Sequence, residues 1–487
     1  MGIVINQSFK NTITTYLGFG LGAINTLFLY TEFMSDTYYG LVAYILSTAN
    51  IMMPLMAFGA HNTLVKYYSS FKSKNSLNSF LTLMLFLPLA LAVPVGVLGY
   101  LGYDTIASLL SQKNPIVGDY LWYIFITALC MAYFEVFYAW VKVQMQTVYG
   151  NFLKEVFHRV GAMCLLFALF FQWITIDQFL IGLVGVYVLR MLLMLTNAFY
   201  IRLPVFRFER IGNIGSILKY SSLIIIAGSI ATMILDIDKF MLNNYIAIEK
   251  VAYYSVAVFI ATVIAVPQRA MHQIMLPLTA TFINDKNTTE LRDLYQRSSL
   301  TLFVISGFVF LLIVVNINQL YEIIPSEFSG GLVVVFLISI AKLYDNVLGN
   351  NNAILFNSDY YRMILVFGVI LAVTAVVLNM ILIPLYGING SALATMIAVV
   401  IYNTIKIIFV KQKFGMLPFT IQSLKILLLI ILCVLAFYFW EFSFHPIVNI
   451  GLKSLLLGII YAFLVTKLRI SDDISEVIKR YTKLFKS

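Results

Sequence analysis

Charged side chains within long apolar stretches are the residues of this chain best suited to chemistry. Arg190, Lys342 and Arg269 lie inside such stretches, and Lys239 lies near the end of another. A charge near a bilayer centre costs ~2.5–3.5 kcal/mol even on a lenient insertion scale, so each must face protein or a wet cavity. Because a planar guanidinium can bind phosphate oxygens in pairs, these cations are candidate contacts for an anionic group.

Two carboxylates are candidates for ion coupling. Glu135 is the lone acid of its apolar stretch, where it could relay a proton or a sodium ion or serve as the static counter-ion of Arg190. Asp345 lies three residues after Lys342, so these two side chains could instead neutralise each other on one helix face.

The cations also have structural alternatives. Asp236 and Asp238 flank Lys239 near the interface, where a long side chain can extend to water. Arg269 could lie among the inner lipid headgroups. Arg190 has no acid within four residues, which makes it the strongest functional candidate of the set.

The elements that must position these residues are membrane-spanning helices. Hydrophobic residues make up 61% of the chain and charged residues 11%, with a mean hydropathy of +0.92, whereas soluble domains carry about 25% charged residues. The apolar stretches approach the ~20 residues that a spanning helix needs and are too long for barrel strands. We therefore predict an all-α polytopic membrane protein of about 14 helices: Asn11–Tyr30, Tyr38–His61, Phe80–Leu101, Ile116–Trp140, Val156–Trp173, Gln178–Ile201, Ile217–Leu242, Val251–Met275, Ser298–Ile317, Gly330–Gly349, Met363–Leu385, Ile388–Val410, Ile421–Trp440 and Ile447–Thr466.

The positive charges predict the orientation. When each charge is assigned to its nearer face, all but four of the 32 Lys and Arg residues fall on one side. By the positive-inside rule that side is cytoplasmic, which places both termini inside and requires an even number of spans. The four lysines on the other side are Lys113, Lys239, Lys250 and Lys453. The net charge of +10 therefore reflects membrane topology and does not indicate nucleic-acid binding.

The sequence predicts no cofactor. The three cysteines, Cys130, Cys164 and Cys433, lie inside apolar spans, which favours neither a disulfide nor a metal framework. No G-x-x-x-x-G-K-[ST] loop occurs, and the cytoplasmic loops are too short for an ATPase domain. Energy would have to come from ion gradients, from voltage or from downstream consumption of the product.

An internal repeat predicts two lobes around a central cavity. Tyr39–Tyr44 is similar to Tyr253–Val258, six spans later, and Pro54 and Pro267 follow in broadly corresponding places. Six is an even number, so the repeats keep one orientation, as in many transporters. The predicted divisions are an N-lobe at 1–210, a C-lobe at 211–415, two further helices at 416–466 and a cytoplasmic tail at 467–487. In the tail, Ile470–Ser487 has apolar residues at helical spacing, which predicts a short amphipathic helix on the inner leaflet or else a solvated tail.

Three stretches resemble the polysaccharide-transporter, or oligosaccharide flippase, family of the multidrug/oligosaccharidyl-lipid/polysaccharide exporter superfamily. Asp36–Ala43 with Phe58–Tyr68 is similar to that family's outer turn and second helix. Leu235–Leu242, continuing through Val251–Ala257, gives a second likeness, and Ile383–Ala394 is similar to the family's Pro-x-Tyr-Gly-x-x-Gly turn between spans 11 and 12.

The resemblance implies a carrier and not an enzyme. Its cargo would be a polyprenyl-pyrophosphate-linked oligosaccharide, such as an O-antigen, capsule or exopolysaccharide repeat unit. The protein would flip this cargo to the outer leaflet of the bacterial cytoplasmic membrane. Partners would be the bilayer, a polysaccharide polymerase and glycosyltransferases. Arg190, Arg269, Lys342 and Lys239 would contact the anionic headgroup.

Two other transport functions stay open at the level of sequence. A multidrug or cation exporter of the same superfamily tends to carry an acid in its first helix, whereas Asn11–Tyr30 contains none. A lipid II-type flippase would differ only in the headgroup of its cargo, and the sequence does not exclude it.

Overall fold

The computed structural model describes residues 2–471 together with 473, 474 and 476. Every regular element in this part of the chain is helical, which confirms the predicted all-α fold. The predicted amphipathic tail lies almost entirely outside the described residues.

The α-helices follow one another through short connections, and several continue into π or 3-10 turns. Those of the first half are α1 (Gly2–Ile24), α2 (Tyr30–Phe33), α3 (Asp36–Met56), α4 (Ala60–Tyr67), α5 (Lys74–Leu101), α6 (Tyr103–Leu110), α7 (Leu121–Lys142), α8 (Val148–Phe152), α9 (His158–Phe170), α10 (Ile176–Ile201), α11 (Ile214–Tyr245) and α12 (Glu249–Thr262). Those of the second half are α13 (Val266–Asn284), α14 (Thr288–Ile323), α15 (Leu332–Val347), α16 (Asn351–Asn357), α17 (Tyr361–Phe414), α18 (Ile421–Phe437) and α19 (Pro446–Lys467). The π-helices are Asn25–Leu29 and Leu153–Phe157, and the 3-10 helices are Tyr68–Ser70, Pro115–Tyr120, Val263–Ala265 and Ser326–Gly331.

The helices suit a multi-pass membrane protein. Among the described residues, ten are long and apolar enough to cross a membrane, and three shorter apolar helices accompany them. One of the ten, α17, has 54 residues and is interrupted at Gly387, whose φ of 57° and ψ of −131° are not helical. It therefore covers two predicted spans and confirms the predicted turn, although these counts do not establish 14 crossings.

The first spanning helix is longer than predicted. It runs as Lys10–Phe33, through the π-helix and α2, instead of ending at Tyr30. The extension includes Glu32, which lies in the last turn and is exposed. The first helix therefore does carry an acid, Glu32, although the predicted span Asn11–Tyr30 contains none. This acid lies at the end of the helix, outside its apolar part.

The two repeated prolines both lie next to helix breaks. Pro54 falls in the last turn of α3, and the chain then bends at Gly59, which has a φ of +64°. A side chain at Gly59 would meet the backbone of Ser221, so both conformation and space favour glycine there. Pro267 lies in the first turn of α13, directly after the 3-10 helix Val263–Ala265. Both prolines therefore lie at interruptions of the regular α-helical backbone.

The chain divides into two compact units, Met1–Ser255 and Val256–Ser487. In the first, α7 packs against α3, α5 and α10, and its core includes Phe80, Phe134 and Met194. In the second, α18 and α19 pack against α14, so the two predicted additional helices contribute to that core. The lobe boundaries and the central cavity that the sequence suggested stay predictions.

Candidate functional site

Arg190 lies on the buried face of α10 in the first unit. Buried residues recur along this helix at steps of three or four, from Phe179 through Leu183 and Tyr187 to Arg190 and Met194. This spacing puts them on one face, which packs against α7. Arg190 is 7% exposed. The helix therefore places a guanidinium where an aliphatic side chain would ordinarily lie.

The guanidinium of Arg190 is held by aromatic rings. Its central carbon lies 4.4 Å from the ring centre of Phe134 and 4.9 Å from that of Tyr187. Within the described part of the chain Arg190 forms no salt bridge, and its Nε has no hydrogen-bond partner. Cation–π contacts stabilise such a charge by about 2 kcal/mol when desolvated but do not neutralise it. The two rings therefore leave the guanidinium positively charged.

Glu135 forms its ion pair with Lys154 and not with Arg190. The Lys154 Nζ lies 2.5 Å from the carboxylate oxygen, and the two side chains are 40% and 13% exposed, respectively. Lys154 comes from the π-helix Leu153–Phe157, a local distortion that is frequent at functional sites. Glu135 therefore makes its direct ion pair with Lys154, while it still interacts electrostatically with Arg190. Both the counter-ion role and the ion-relay role of Glu135 stay predictions.

Further charges surround this pair. Lys142 stacks on Tyr138, with its Nζ 3.9 Å from the ring centre, and lies close enough to Glu135 to interact electrostatically. Arg159 pairs with Glu155 one helical turn away, at 3.2 Å. Cations therefore outnumber acids in this part of the first unit, which suits an anionic ligand.

Lys239 has a local partner. Its Nζ lies 3.7 Å from Asp236 on the same helix, and both side chains are 19% exposed. The neighbouring Asp238 accepts a hydrogen bond of 2.5 Å from the hydroxyl of Tyr254. The local ion pair is the alternative that the sequence offered for Lys239, and it leaves this lysine the weakest of the four predicted headgroup contacts.

The predicted residues of the second unit are less buried than Arg190. Arg269 is exposed on α13, and Lys342 and Asp345 are partly exposed on α15. The backbone carbonyl of Asp345 accepts a hydrogen bond from the Gln268 side chain at 3.4 Å. Their roles toward a ligand stay predictions.

Lys406 is a buried cation that the sequence analysis did not select. It is fully buried, donates to the Asn352 side-chain oxygen at 3.0 Å and lies 4.1 Å from the ring centre of Tyr402. Asp345 is near enough to interact with it electrostatically. The sequence offered one signal: Lys406 lies four residues inside the end of an apolar stretch, with Tyr402 one turn before it.

The two units repeat one arrangement of charges. In the first, α7 carries Glu135 and packs against α10, which carries Arg190. In the second, α15 carries Asp345 and packs against α17, which carries Lys406. Both α7 and α15 directly follow six-residue 3-10 helices. Each unit thus holds a buried cation on the helix that packs against its acidic helix.

A further buried cation has a purely structural contact. Lys453 of α19 is fully buried and donates to the backbone carbonyl of Val315 at 3.0 Å. This hydrogen bond ties α19 to α14, in the same core that α18 joins.

Comparison with known proteins identifies the family. The family described as polysaccharide biosynthesis protein matches residues 6–267, more than half of the chain. The chain belongs to this family. No curated protein sequence matches it.

Several solved structures share the fold. The lipid II flippase MurJ, in an inward closed conformation, is 14% identical, with a TM-score of 0.69 over 94% of this chain and 99% of that one. An inward-facing multidrug resistance MATE family transporter of the MOP superfamily is 13% identical, with a TM-score of 0.55 over 85% and 95%. A variant of the Vibrio cholerae MATE transporter VcmN is 12% identical, with a TM-score of 0.58 over 85% and 98%. At these identities the likeness establishes the fold.

Proposed function

We propose that this protein flips polyprenyl-pyrophosphate-linked oligosaccharides from the inner to the outer leaflet of the bacterial cytoplasmic membrane by alternating access. The polysaccharide family supports a saccharide cargo, and the fold shared with a lipid II flippase supports a lipid-linked one. The repeat unit of an O-antigen, a capsule or an exopolysaccharide fits this description.

The observation that carries the proposal is the state of Arg190. Arg190 is buried, contacts two aromatic rings and forms no salt bridge within the described residues. Its burial is a cost to folding, because insertion of a cation near the bilayer centre costs ~2.5–3.5 kcal/mol. An anionic ligand that binds here recovers part of this energy through charge-assisted hydrogen bonds. A guanidinium matches a pyrophosphate because it can donate two parallel hydrogen bonds to one phosphate group.

Membrane voltage gives the proposal a direction. Moving a negative charge outward across an inside-negative membrane is downhill by ~2.3 kcal/mol per charge per 100 mV. A carrier that binds pyrophosphate through cations therefore works with the potential when it delivers its cargo outward. Consumption of the product by a polymerase would pull in the same direction.

Two alternatives have specific support. The structural likeness to MATE transporters favours a multidrug or cation exporter, but the acid of the first spanning helix, Glu32, lies exposed in its last turn. The likeness to MurJ favours a lipid II-type cargo. A lipid II-type cargo and a lipid-linked repeat unit would present the same pyrophosphate to Arg190 and differ only in their sugar headgroups. The exposed position of Glu32 argues against the exporter.

Deletion of the gene in its own organism tests the proposal. Surface polysaccharide and lipid-linked oligosaccharide on the inner leaflet are quantified together. We expect the first to fall and the second to accumulate, and the sugars of the accumulated species would identify the cargo. Unchanged levels of both, with raised sensitivity to cationic drugs, would favour the exporter instead.

A further inference from the structure

A basic pocket lies at one end of the first unit, away from Arg190 along α10. It has a volume of about 560 Å³ and lies where the start of α5 meets the chain just after α10. Lys72, Lys74 and Arg202 line it, and its lining contains no Asp or Glu. The charge distribution predicts that this end faces the cytoplasm. Positive-inside charges need no pocket, so three cations around one cavity call for a separate explanation.

Neutral partners hold the guanidinium of Arg202. One terminal nitrogen donates to the Tyr68 hydroxyl at 2.7 Å, and the other donates to the Asn78 side-chain oxygen at 3.2 Å. The Tyr68 oxygen also accepts from the Gln144 side chain at 2.7 Å. Arg202, which follows α10, is thus held by Tyr68 after α4 and by Asn78 of α5, and Gln144 after α7 in turn holds Tyr68. Because none of these partners is charged, the positive charge is not neutralised.

The first turn of α5 adds donors to the same pocket. Ser73 is the N-cap residue, and its side chain makes no capping hydrogen bond. The first backbone N–H groups of a 28-residue helix therefore lack a side-chain acceptor beside Lys74. An anion at this position would receive backbone hydrogen bonds and the favourable end of the helix dipole.

The acid next to the pocket already has a partner. The backbone N–H of Glu209 donates to the hydroxyl of Ser79 on α5, which places this residue near the pocket. Its carboxylate pairs with Arg207 at 3.0 Å. Glu209 is therefore paired with Arg207 outside the pocket. The three cations of the pocket have no acidic neighbour among the lining residues.

We propose that this pocket binds the phosphate of a membrane lipid. Apolar side chains complete the wall, among them Phe71, Leu77 and Leu203, and they suit the glycerol and first methylenes of a lipid better than a free anion. Lys72 and Lys74 supply point charges, and Arg202 supplies a fixed guanidinium. The phosphate could come from an anionic phospholipid such as phosphatidylglycerol or from a polyprenyl pyrophosphate. The inference does not depend on what the protein transports.

Binding to the full-length protein in phosphatidylcholine nanodiscs tests the pocket. A fluorescent phosphatidylglycerol serves as the probe, and the variant is the double substitution Lys72→Gln/Lys74→Gln. We expect the affinity to fall about 30-fold, since each lysine near an anionic lipid surface contributes roughly a factor of five. Both lysines are exposed, so the thermal unfolding temperature should not change.

A matched control separates the pocket from general surface charge. Lys411→Gln/Lys413→Gln removes two exposed lysines that the charge distribution predicts to lie on the same side of the membrane, in the second unit. We expect this variant to bind the probe like the native protein. Equal losses in both double variants, or no loss in the first, would overturn the proposal.

Competition identifies the source of the phosphate. Displacement of the probe by unlabelled phosphatidylglycerol but not by polyprenyl pyrophosphate would assign the pocket to bulk phospholipid, and stronger displacement by polyprenyl pyrophosphate would assign it to the cargo lipid. Displacement by inorganic phosphate at equal concentration would overturn the assignment to a lipid. These readouts are independent of flipping, so a failure of the pocket and a failure of the proposed function can be told apart.

Discussion

Replacement of Arg190 by Gln separates a ligand-binding role from a structural one. The substitution removes cation–π contacts with Phe134 and Tyr187 that are worth about 2 kcal/mol. It also removes a charge whose insertion costs ~2.5–3.5 kcal/mol. These terms nearly cancel, so we expect the free energy of unfolding to change by no more than ~1–2 kcal/mol. Loss of a residue from a buried ion pair would instead cost about 3–5 kcal/mol.

The effect on ligand binding should be larger. A hydrogen bond to a charged group contributes about 1.5–3 kcal/mol, which corresponds to a roughly 10- to 150-fold loss of affinity. The assay is titration of polyprenyl pyrophosphate into nanodiscs that contain the purified protein, with thermal unfolding followed on the same samples. Arg190→Lys should lie between the native protein and the Gln variant, because it keeps the charge and loses the planar fork.

Lys453→Gln is the matched control for Arg190→Gln. Lys453 is also a buried cation in an apolar helix, but its contact is the backbone carbonyl of Val315. We expect this control to lower the unfolding temperature without a change in affinity. Native affinity in Arg190→Gln together with a clear loss of stability would show that Arg190 is a structural residue and does not contact the ligand.

Three further predictions follow from individual contacts. Lys406→Met should weaken polyprenyl pyrophosphate binding about tenfold in the same titration, because it removes a fully buried charge; native affinity would exclude a ligand-binding role for Lys406. Glu135→Gln should lower stability by no more than about 1 kcal/mol, since Lys154 is 40% exposed and can be solvated. If Glu135 relays an ion, transport by that variant should lose its dependence on a proton or sodium gradient; if the dependence is retained, Glu135 is a static charge. Gly387→Ala should destabilise the protein by about 1–3 kcal/mol in thermal unfolding, because φ of 57° with ψ of −131° strains any side chain; an unchanged unfolding temperature would contradict this backbone conformation.

Apolar patterning predicted the helices well, because a bilayer imposes one requirement on every span. Hydrophobic length identified most of the long helices, and the Pro-x-Tyr-Gly pattern identified the turn at Gly387 within α17. The end of the first helix was wrong by three residues, because Glu32 is exposed at the end of the helix and does not interrupt it.

Partners that are distant in sequence were less predictable. Burial of Arg190 follows from its position within an apolar span, but its rings belong partly to another helix. Lys154, the ion-pair partner of Glu135, lies in a π-helix, which leaves no clear mark in residue type. Lys406 lies near the end of a predicted span, so the assignment of each charge to its nearer face placed it at the inner surface. In the fold it is instead buried against Tyr402.

The most direct test of the proposed function is flipping in proteoliposomes. Purified protein is reconstituted with a native polyprenyl-pyrophosphate-linked oligosaccharide, and a membrane-impermeant glycosidase reports the fraction of cargo on the outer leaflet over time. We expect the cargo to cross faster than in protein-free vesicles, Arg190→Gln to slow the crossing about tenfold or more, and an inside-negative potential to speed outward movement. Crossing at the protein-free rate, with the native protein folded and inserted, would rule out the proposed flippase function.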